Sequence, residues 1–249
     1  AGAEGFNAVI WDKVVANAPI DSVRKGKNFA EKEGVNLIIG LGGGSAMDTA
    51  RAISMAMTLP LDIGAYMDFA TDIDREGIPM IAIPTTSGTG SEVSTGAVIY
   101  EPEKTKKSLL LSTFAAAKVA LIDGNMSKSM PPQVTAATGI DALTHALEAY
   151  TTTLANPLED AIALKAAGMI LKYLPRAYKD ADDMEARQMM AEAATMGAMC
   201  FNSSELHILH AISHPITAYW NVPHGVACAW ALLYGMASQA PAIEDRMKV

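Results

Sequence analysis

The residues most able to do chemistry are five histidines, His145, His207, His210, His214 and His224, four of them in one short stretch. Asp141 and His145 stand four apart in GIDALTHALEAY, so on a helix they project from one face, one turn apart. His210 and His214 repeat that spacing, and His207 lies three residues before His210. Imidazole nitrogen suits iron, zinc, copper and nickel, and one carboxylate adds hard character without the thiolates of a closed structural zinc site. His224 follows Pro223 and precedes Gly225, a turn signature that can bring a further donor in from a loop. The stretch offers more donors than one site needs. The competing reading is helix-face histidines satisfied by backbone or carboxylate partners; it suits a lone histidine better than a cluster. The pattern proposes an Asp/His metal site.

A second chemistry is written earlier. Gly42-Gly43-Gly44-Ser45 follows the apolar run VNLIIGL and opens a helical pattern, where free backbone N–H groups and the helix dipole favour an anion. It is not the strict Gly-x-Gly-x-x-Gly fingerprint and it lacks the lysine of a P-loop. Thr85-Thr86-Ser87-Gly88-Thr89-Gly90-Ser91-Glu92 also follows an apolar run. Two such loops after neighbouring parallel strands meet at the carboxyl edge of the sheet, where nucleotides bind in open α/β folds. Tight turn packing and ordinary turn capping are the competing readings.

The elements that must position these residues fall into two halves. Short apolar runs alternate with helical stretches in the first, the pattern of a parallel α/β sheet. Strands are expected at 6–11, 35–41 (buried), 79–84, 96–100, 108–112 and 118–123, and helices at 20–34 and after Ser45. From Pro131 almost everything reads as helix: through Asp141, His145 and Glu148, then from Asn156-Pro157 to about Leu174, then 183–200, 206–218 with Pro215 ending or kinking it, and 225–238. The boundary expected near Met130 gives an α/β domain over 1–129 and a helical domain over 130–249.

The 249 residues, half of them apolar, suffice for two domains. A net charge of −8 gives no electrostatic footprint for nucleic acid or an anionic membrane. Cys200 and Cys228 form no Cys-x-x-Cys pair, so neither a disulfide framework nor a thiolate zinc site is supported, and a reducing, cytoplasmic compartment is the default. Neither a leader nor an uninterrupted apolar run of membrane-spanning length is expected, so the chain reads as soluble.

The ordered blocks IIGLGGGSAMDTARAI, IPTTSGTGSEVS, MPPQVTAATGIDALTHALEAY, ANPLEDAIAL and HAISHPITAYWNVPHGVA closely resemble the iron-dependent, or group III, alcohol dehydrogenases. The resemblance spans essentially the whole chain and includes the fourteen-residue step from His210 to His224. It implies an α/β nucleotide-binding domain followed by an all-helical metal-binding domain, the architecture shared with dehydroquinate synthase. It places the metal, Fe(II) or Zn(II), on Asp141, His145, His210 and His224. It places NAD(H), or NADP(H), on Gly43, Gly44, Ser45, Asp48, Thr85, Thr86, Thr89, Val98 and Lys107. His214 matches a histidine near nicotinamide and substrate, and with an ordinary imidazole pKa it is the candidate proton relay.

What the resemblance implies is reversible hydride transfer between NAD(P) and a small primary alcohol or diol, or the aldehyde, in a homo-oligomer. Glycerol-dehydrogenase-like or hydroxyacid-oxoacid transhydrogenase activity, or an inactive truncated binding module, are the alternatives. Glu205 and His207 stand where relatives commonly have small residues. They either shape the substrate pocket or point into solvent, and the ligand set is complete without His207. Family members begin earlier and continue past Val249, so truncation at both ends is expected.

Overall fold

The computed structural model describes Gly5 and residues 7–248. Helix α1 (Ile20–Lys32) leads to strand β1 (Ile38–Gly42), helix α2 (Gly44–Ala56) and strand β2 (Met80–Pro84). A hairpin, β3 (Gly96–Glu101) and β4 (Lys106–Leu111), precedes the short strand β5 (Val119–Ala120). Five helices follow: α3 (Pro132–Thr151), α4 (Pro157–Lys179), α5 (Met184–Ser204), α6 (Ile208–Trp220) and α7 (His224–Ile243). An α/β part is thus succeeded by a helical part, the architecture expected from the sequence.

The parallel sheet has the order β1-β2-β5, with Ile38 opposite Met80 and Ile81 opposite Val119. Helix α2 covers one face through Met47 and Ala50, which pack on Met80 and Ala82. The opposite face is open: Ile39 and Leu41 are each 58% exposed, so β1 is not the fully buried strand its apolar run suggests. The strand expected over 118–123 shrinks to two residues, bracketed by ladder bonds from Lys118 N to Met80 O and from Leu121 N to Ala82 O.

Two further expectations change. Residues 96–100 and 108–112 do not join the parallel sheet; they pair antiparallel with each other, Val98 opposite Leu109. The connection between them is a single helical turn closed by Thr105 at φ 47, and so short a link reaches only an antiparallel partner. The strand expected over 6–11 is absent: Phe6 lies outside the described residues, and 7–11 are irregular, with no ladder to hold their apolar side chains.

The hairpin, α1 and α2 share one core, in which Ile53 and Met55 meet Val23, Ile99 and Leu110. The helical half has its own, in which Ala142 and Ala146 of α3 pack on Ile170 of α4 and Met190 and Ala194 of α5. Alanines dominate these contacts, which lets the helix backbones approach closely. Helix α3 lies against α4, α5 and α7, so its polar face is enclosed by its neighbours.

Side-chain caps mark the starts of α4 and α5. Asn156 Oδ1 accepts from the backbone N–H groups of Leu158 and Glu159 with Pro157 in the first turn, and Asp183 accepts from Ala186 N. Pro215 does not end α6, which runs through it to Trp220, and α4 runs through Pro175. Over its 20 residues helix α7 is long and apolar enough to cross a membrane by length and composition alone, although His224, Ser238 and Gln239 interrupt its apolar run. Its inner face, Ala227, Cys228, Ala231 and Gly235, is buried, while Trp230, Leu233 and Tyr234 are exposed.

Candidate functional site

Asp141 is the centre of the helical half. It is 2% exposed, and its Oδ1 lies 3.8 Å from His145 Nε2, 3.5 Å from His210 Nε2 and 3.5 Å from His224 Nε2. Asp141 and His145 share one face of α3, His210 sits in the first turn of α6, and His224 opens α7 after Pro223. Three helices deliver four side chains to one point. His145 stacks on His210 with ring centroids 4.6 Å apart, and Phe201 closes the other side at 4.9 Å.

The electrostatics fit a bound cation. Burial alone would raise the Asp141 carboxyl, but His145, His224 and His210 hold it well below the usual carboxylate range. Burial pushes His145 down to about 4 and His224 down to about 3, against the pull of Asp141. Burial opposes a charge on His210 too, yet hydrogen bonds to Asp141, Cys228 and Glu148 outweigh it and raise His210 well above the ordinary imidazole value. A buried carboxylate is costly without a positive partner. Each ion pair of Asp141 is with an imidazole. A divalent cation among three imidazoles and one carboxylate oxygen would supply the charge and displace the His210 proton.

Glu148 sets this arrangement. It lies on α3 seven residues after Asp141 and is fully buried. Helix α6 has no capping side chain of its own. Glu148 Oε1 supplies the cap from outside, accepting from His207 N at 3.1 Å, Leu209 N at 2.7 Å and His210 N at 3.1 Å. Its other oxygen binds His210 Nδ1, which leaves Nε2 facing Asp141. A carboxylate behind a ligand imidazole fixes the ring and raises its basicity.

The candidate nucleotide site is a pair of touching loops. Gly43 caps α2 and Gly44 begins it. A Cβ on Gly44 would stand 2.7 Å from Thr89 Cγ2 and 3.0 Å from Thr89 Oγ1, so only glycine lets the two loops meet. Thr86 approaches Gly43 in the same way, and Thr85 N donates to Gly42 O at 2.8 Å. Ser45 Oγ accepts from Asn17 N at 3.0 Å. Asp48 Oδ2 accepts from Val98 N at 3.1 Å, and burial, countered by Arg51, pushes its carboxyl up to about 6. Lys107 on β4 is half-buried; burial lowers its pKa while Asp141 and Asp48 pull it back up.

The second loop also binds the two halves together. Gly90, at φ 58, lies where a Cβ would be 2.0 Å from Ala198 Cβ of α5. Glu92 accepts from Thr195 Oγ1 at 2.6 Å, and Asn202 takes Thr95 N and gives to Val93 O. The loop therefore lies against α5 and, where Gly88 meets Thr138, against α3, which carries His145.

The residues picked from the sequence thus gather as two groups. The outcome for His214 differs in kind: its ring is 5.7 Å from His210 and 5.2 Å from His224. Burial first, then His224, His210 and Lys107, hold it well below the ordinary imidazole value, so the relay argument from an unperturbed pKa does not hold. His207 is partly exposed and held against α3: its Nε2 lies 3.1 Å from Glu148 O and 3.3 Å from Thr151 Oγ1. Glu205 is exposed at the end of α5, at φ 59. Sequence reasoning passes over Glu148, legible only as a third acidic or basic residue on the Asp141 face, and Cys228, four residues after His224.

Residues 1–124 match the family model of iron-containing alcohol dehydrogenase, and residues 135–249 match that of the C-terminal part of the Fe-containing alcohol dehydrogenase family. The chain belongs to the iron-containing alcohol dehydrogenase family. It is 37% identical over 225 residues to alcohol dehydrogenase 4 of Saccharomyces cerevisiae, covering 90% of this chain and 59% of that protein. It is 37% identical over 240 residues to lactaldehyde reductase of Escherichia coli, covering 96% and 62%. Sulfoacetaldehyde reductase from Bifidobacterium kashiwanohense, solved in complex with NAD+, superimposes with a TM-score of 0.90 at 31% identity, covering 95% of this chain and 63% of that one. The chain thus spans about six-tenths of the length of these relatives.

Two outcomes follow. Glu148→Gln keeps a helical circular dichroism spectrum but loses about 10- to 100-fold in metal affinity by calorimetric titration; unchanged affinity would remove Glu148 from the site. Gly44→Val parts the loops and weakens NAD(H) binding about tenfold or more, a loss of about 1.4 kcal/mol, while metal affinity stays as it was. Fluorescence titration of NADH measures the first and calorimetry the second.

Proposed function

We propose that this chain forms the nucleotide- and metal-binding parts of a metal-dependent alcohol dehydrogenase that moves hydride reversibly between NAD(H) and a small primary alcohol or diol, or the corresponding aldehyde. The observation that carries the reading is the loop 85–95, which forms one wall of the phosphate cradle and packs through Gly88 on Thr138 of α3, the helix of Asp141 and His145, and through Gly90, Glu92 and Thr95 on α5. Family membership and the NAD+ bound by the sulfoacetaldehyde reductase support it. The division into an α/β domain over 1–129 and a metal-binding domain over 130–249 belongs to the same reading.

Asp141, His145, His210 and His224 would hold Fe(II), with Zn(II) as the other metal this donor set accepts. When bound, the metal supplies Lewis acidity that lowers the pKa of a substrate hydroxyl, and the nicotinamide accepts or returns the hydride. The chain's own residues do the rest. Glu148 holds His210 in one tautomer and Asp141 keeps the centre negative. The first turn of α2 offers free N–H groups to the cofactor phosphates, with Thr85, Thr86 and Thr89 supplying hydroxyls opposite.

His214, kept neutral beside His210 and His224, is placed to accept the hydroxyl proton. It does so as a neutral imidazole rather than as a group titrating near working pH. Two free, buried cysteines suit a reducing, cytoplasmic setting, and the exposed apolar side chains of α7 suit a homo-oligomer.

The test is a nicotinamide absorbance assay on anaerobically prepared, Fe(II)-loaded protein across short primary alcohols, diols and aldehydes. Turnover is expected, lost on chelation and restored by Fe(II) or Zn(II). His214→Ala is expected to lower kcat about 100-fold or more with metal content unchanged. Metal-loaded protein that neither binds NAD(H) nor turns over any of these substrates overturns the reading.

A further inference from the structure

The metal centre contains a donor that the Asp/His pattern does not include. Cys228 lies four residues after His224, so both face the same side of α7. Its thiol is fully buried, with Sγ 3.4 Å from Asp141 Oδ1, 3.9 Å from His210 Nε2 and 3.7 Å from His224 Nε2. One donor atom from each of Asp141, His210, His224 and Cys228 falls within 4.8 Å of all the others. Bonds of about 2.0–2.3 Å from a tetrahedral zinc to oxygen, nitrogen and sulfur put neighbouring donors about 3.3–3.6 Å apart. The oxygen–nitrogen and oxygen–sulfur separations here, 3.4 to 3.5 Å, lie within that range, and the nitrogen–sulfur pairs lie slightly above it.

We propose that Cys228 coordinates a zinc- or cobalt-class metal ion held at this centre, as a thiolate beside Asp141, His210 and His224. The proposal rests on the metal-centre reading above and adds a soft donor to it. A thiolate raises affinity for Zn(II) and Co(II) more than for a harder ion, so the metal preference of this chain is set partly by position 228. On binding, the Sγ–H bond breaks, a sulfur–metal bond forms and the thiol proton leaves to solvent; no electron is transferred. Cys200, the other cysteine, hydrogen-bonds Glu159 O and is the internal control.

Cobalt(II) titration of the whole chain separates occupancy of the centre from coordination by sulfur. Visible ligand-field absorption reports the first, and a near-ultraviolet thiolate-to-cobalt charge-transfer band reports the second. Both are expected in the parent protein and in Cys200→Ser. Cys228→Ser is expected to keep the ligand-field bands, lose the charge-transfer band and bind Zn(II) at least about tenfold more weakly. Ligand-field bands without a charge-transfer band in the parent overturn the role of Cys228 alone; no ligand-field band at saturation overturns the metal centre as well. X-ray absorption at the zinc edge of the parent protein makes the same distinction without a variant. A sulfur shell at about 2.3 Å is expected, and a shell of nitrogen and oxygen only, at about 2.0–2.2 Å, overturns the proposal.

Discussion

The whole site depends on how two buried carboxylates of one helix are neutralised. Asp141 and Glu148 project from the same face of α3 into the helical core, where a carboxylate left alone is far too costly to persist. Glu148 is satisfied by geometry: three backbone N–H groups at the start of α6 and the ring of His210 converge on it. Because that bond fixes α6 against α3, it also fixes where His210 Nε2 points. Asp141 receives imidazoles and a thiol but no lysine or arginine in contact among the described residues, so its compensation is left to a cation. One carboxylate builds the frame and the other makes the frame into a binding site.

The same economy of contacts places the cofactor cradle. Glycines at 44 and 90 are required where loops meet a neighbour too closely for a side chain, the first between the two phosphate loops and the second against α5. Arg51, fully buried on α2, binds the carbonyls of Ala115 and Ser91 and so anchors the cradle helix to the loop that contacts α5. Through these links the free N–H groups of α2 and the imidazoles of α3, α6 and α7 belong to one continuous packed structure. Lys107 lies within electrostatic reach of both Asp48 and Asp141, one from each group.

Much of this is legible in the sequence. The i,i+4 spacing of Asp141 and His145 identifies a helix face, and the glycine and threonine loops mark strand-to-helix turns, because each signal is local. What the sequence hides are long-range partners. An apolar run at 35–41 reads as buried whichever face is covered, yet Ile39 and Leu41 are open. GAVIY and SLLLS carry strand propensity but nothing that states their partner, and a short link makes them a hairpin. His214 reads as a group titrating near neutrality because burial and neighbouring positive charge are invisible in a sequence. Glu148 reads as an ordinary helix glutamate, since its role exists only once α6 begins beneath it. Cys228 reads as no part of a thiolate metal site for want of a second cysteine nearby, when its neighbours are histidines and an aspartate.

The metal centre stands or falls on Asp141 as its anionic core. Isothermal titration of the metal-free chain with Zn(II) tests this, comparing the parent with Asp141→Asn, which keeps the size of the side chain and removes its charge. The expected result is one tightly bound ion per chain in the parent, with release of protons from His210 and the donor thiol, and loss of at least about two orders of magnitude in affinity in the variant. Equal affinity and stoichiometry in the two proteins would contradict it.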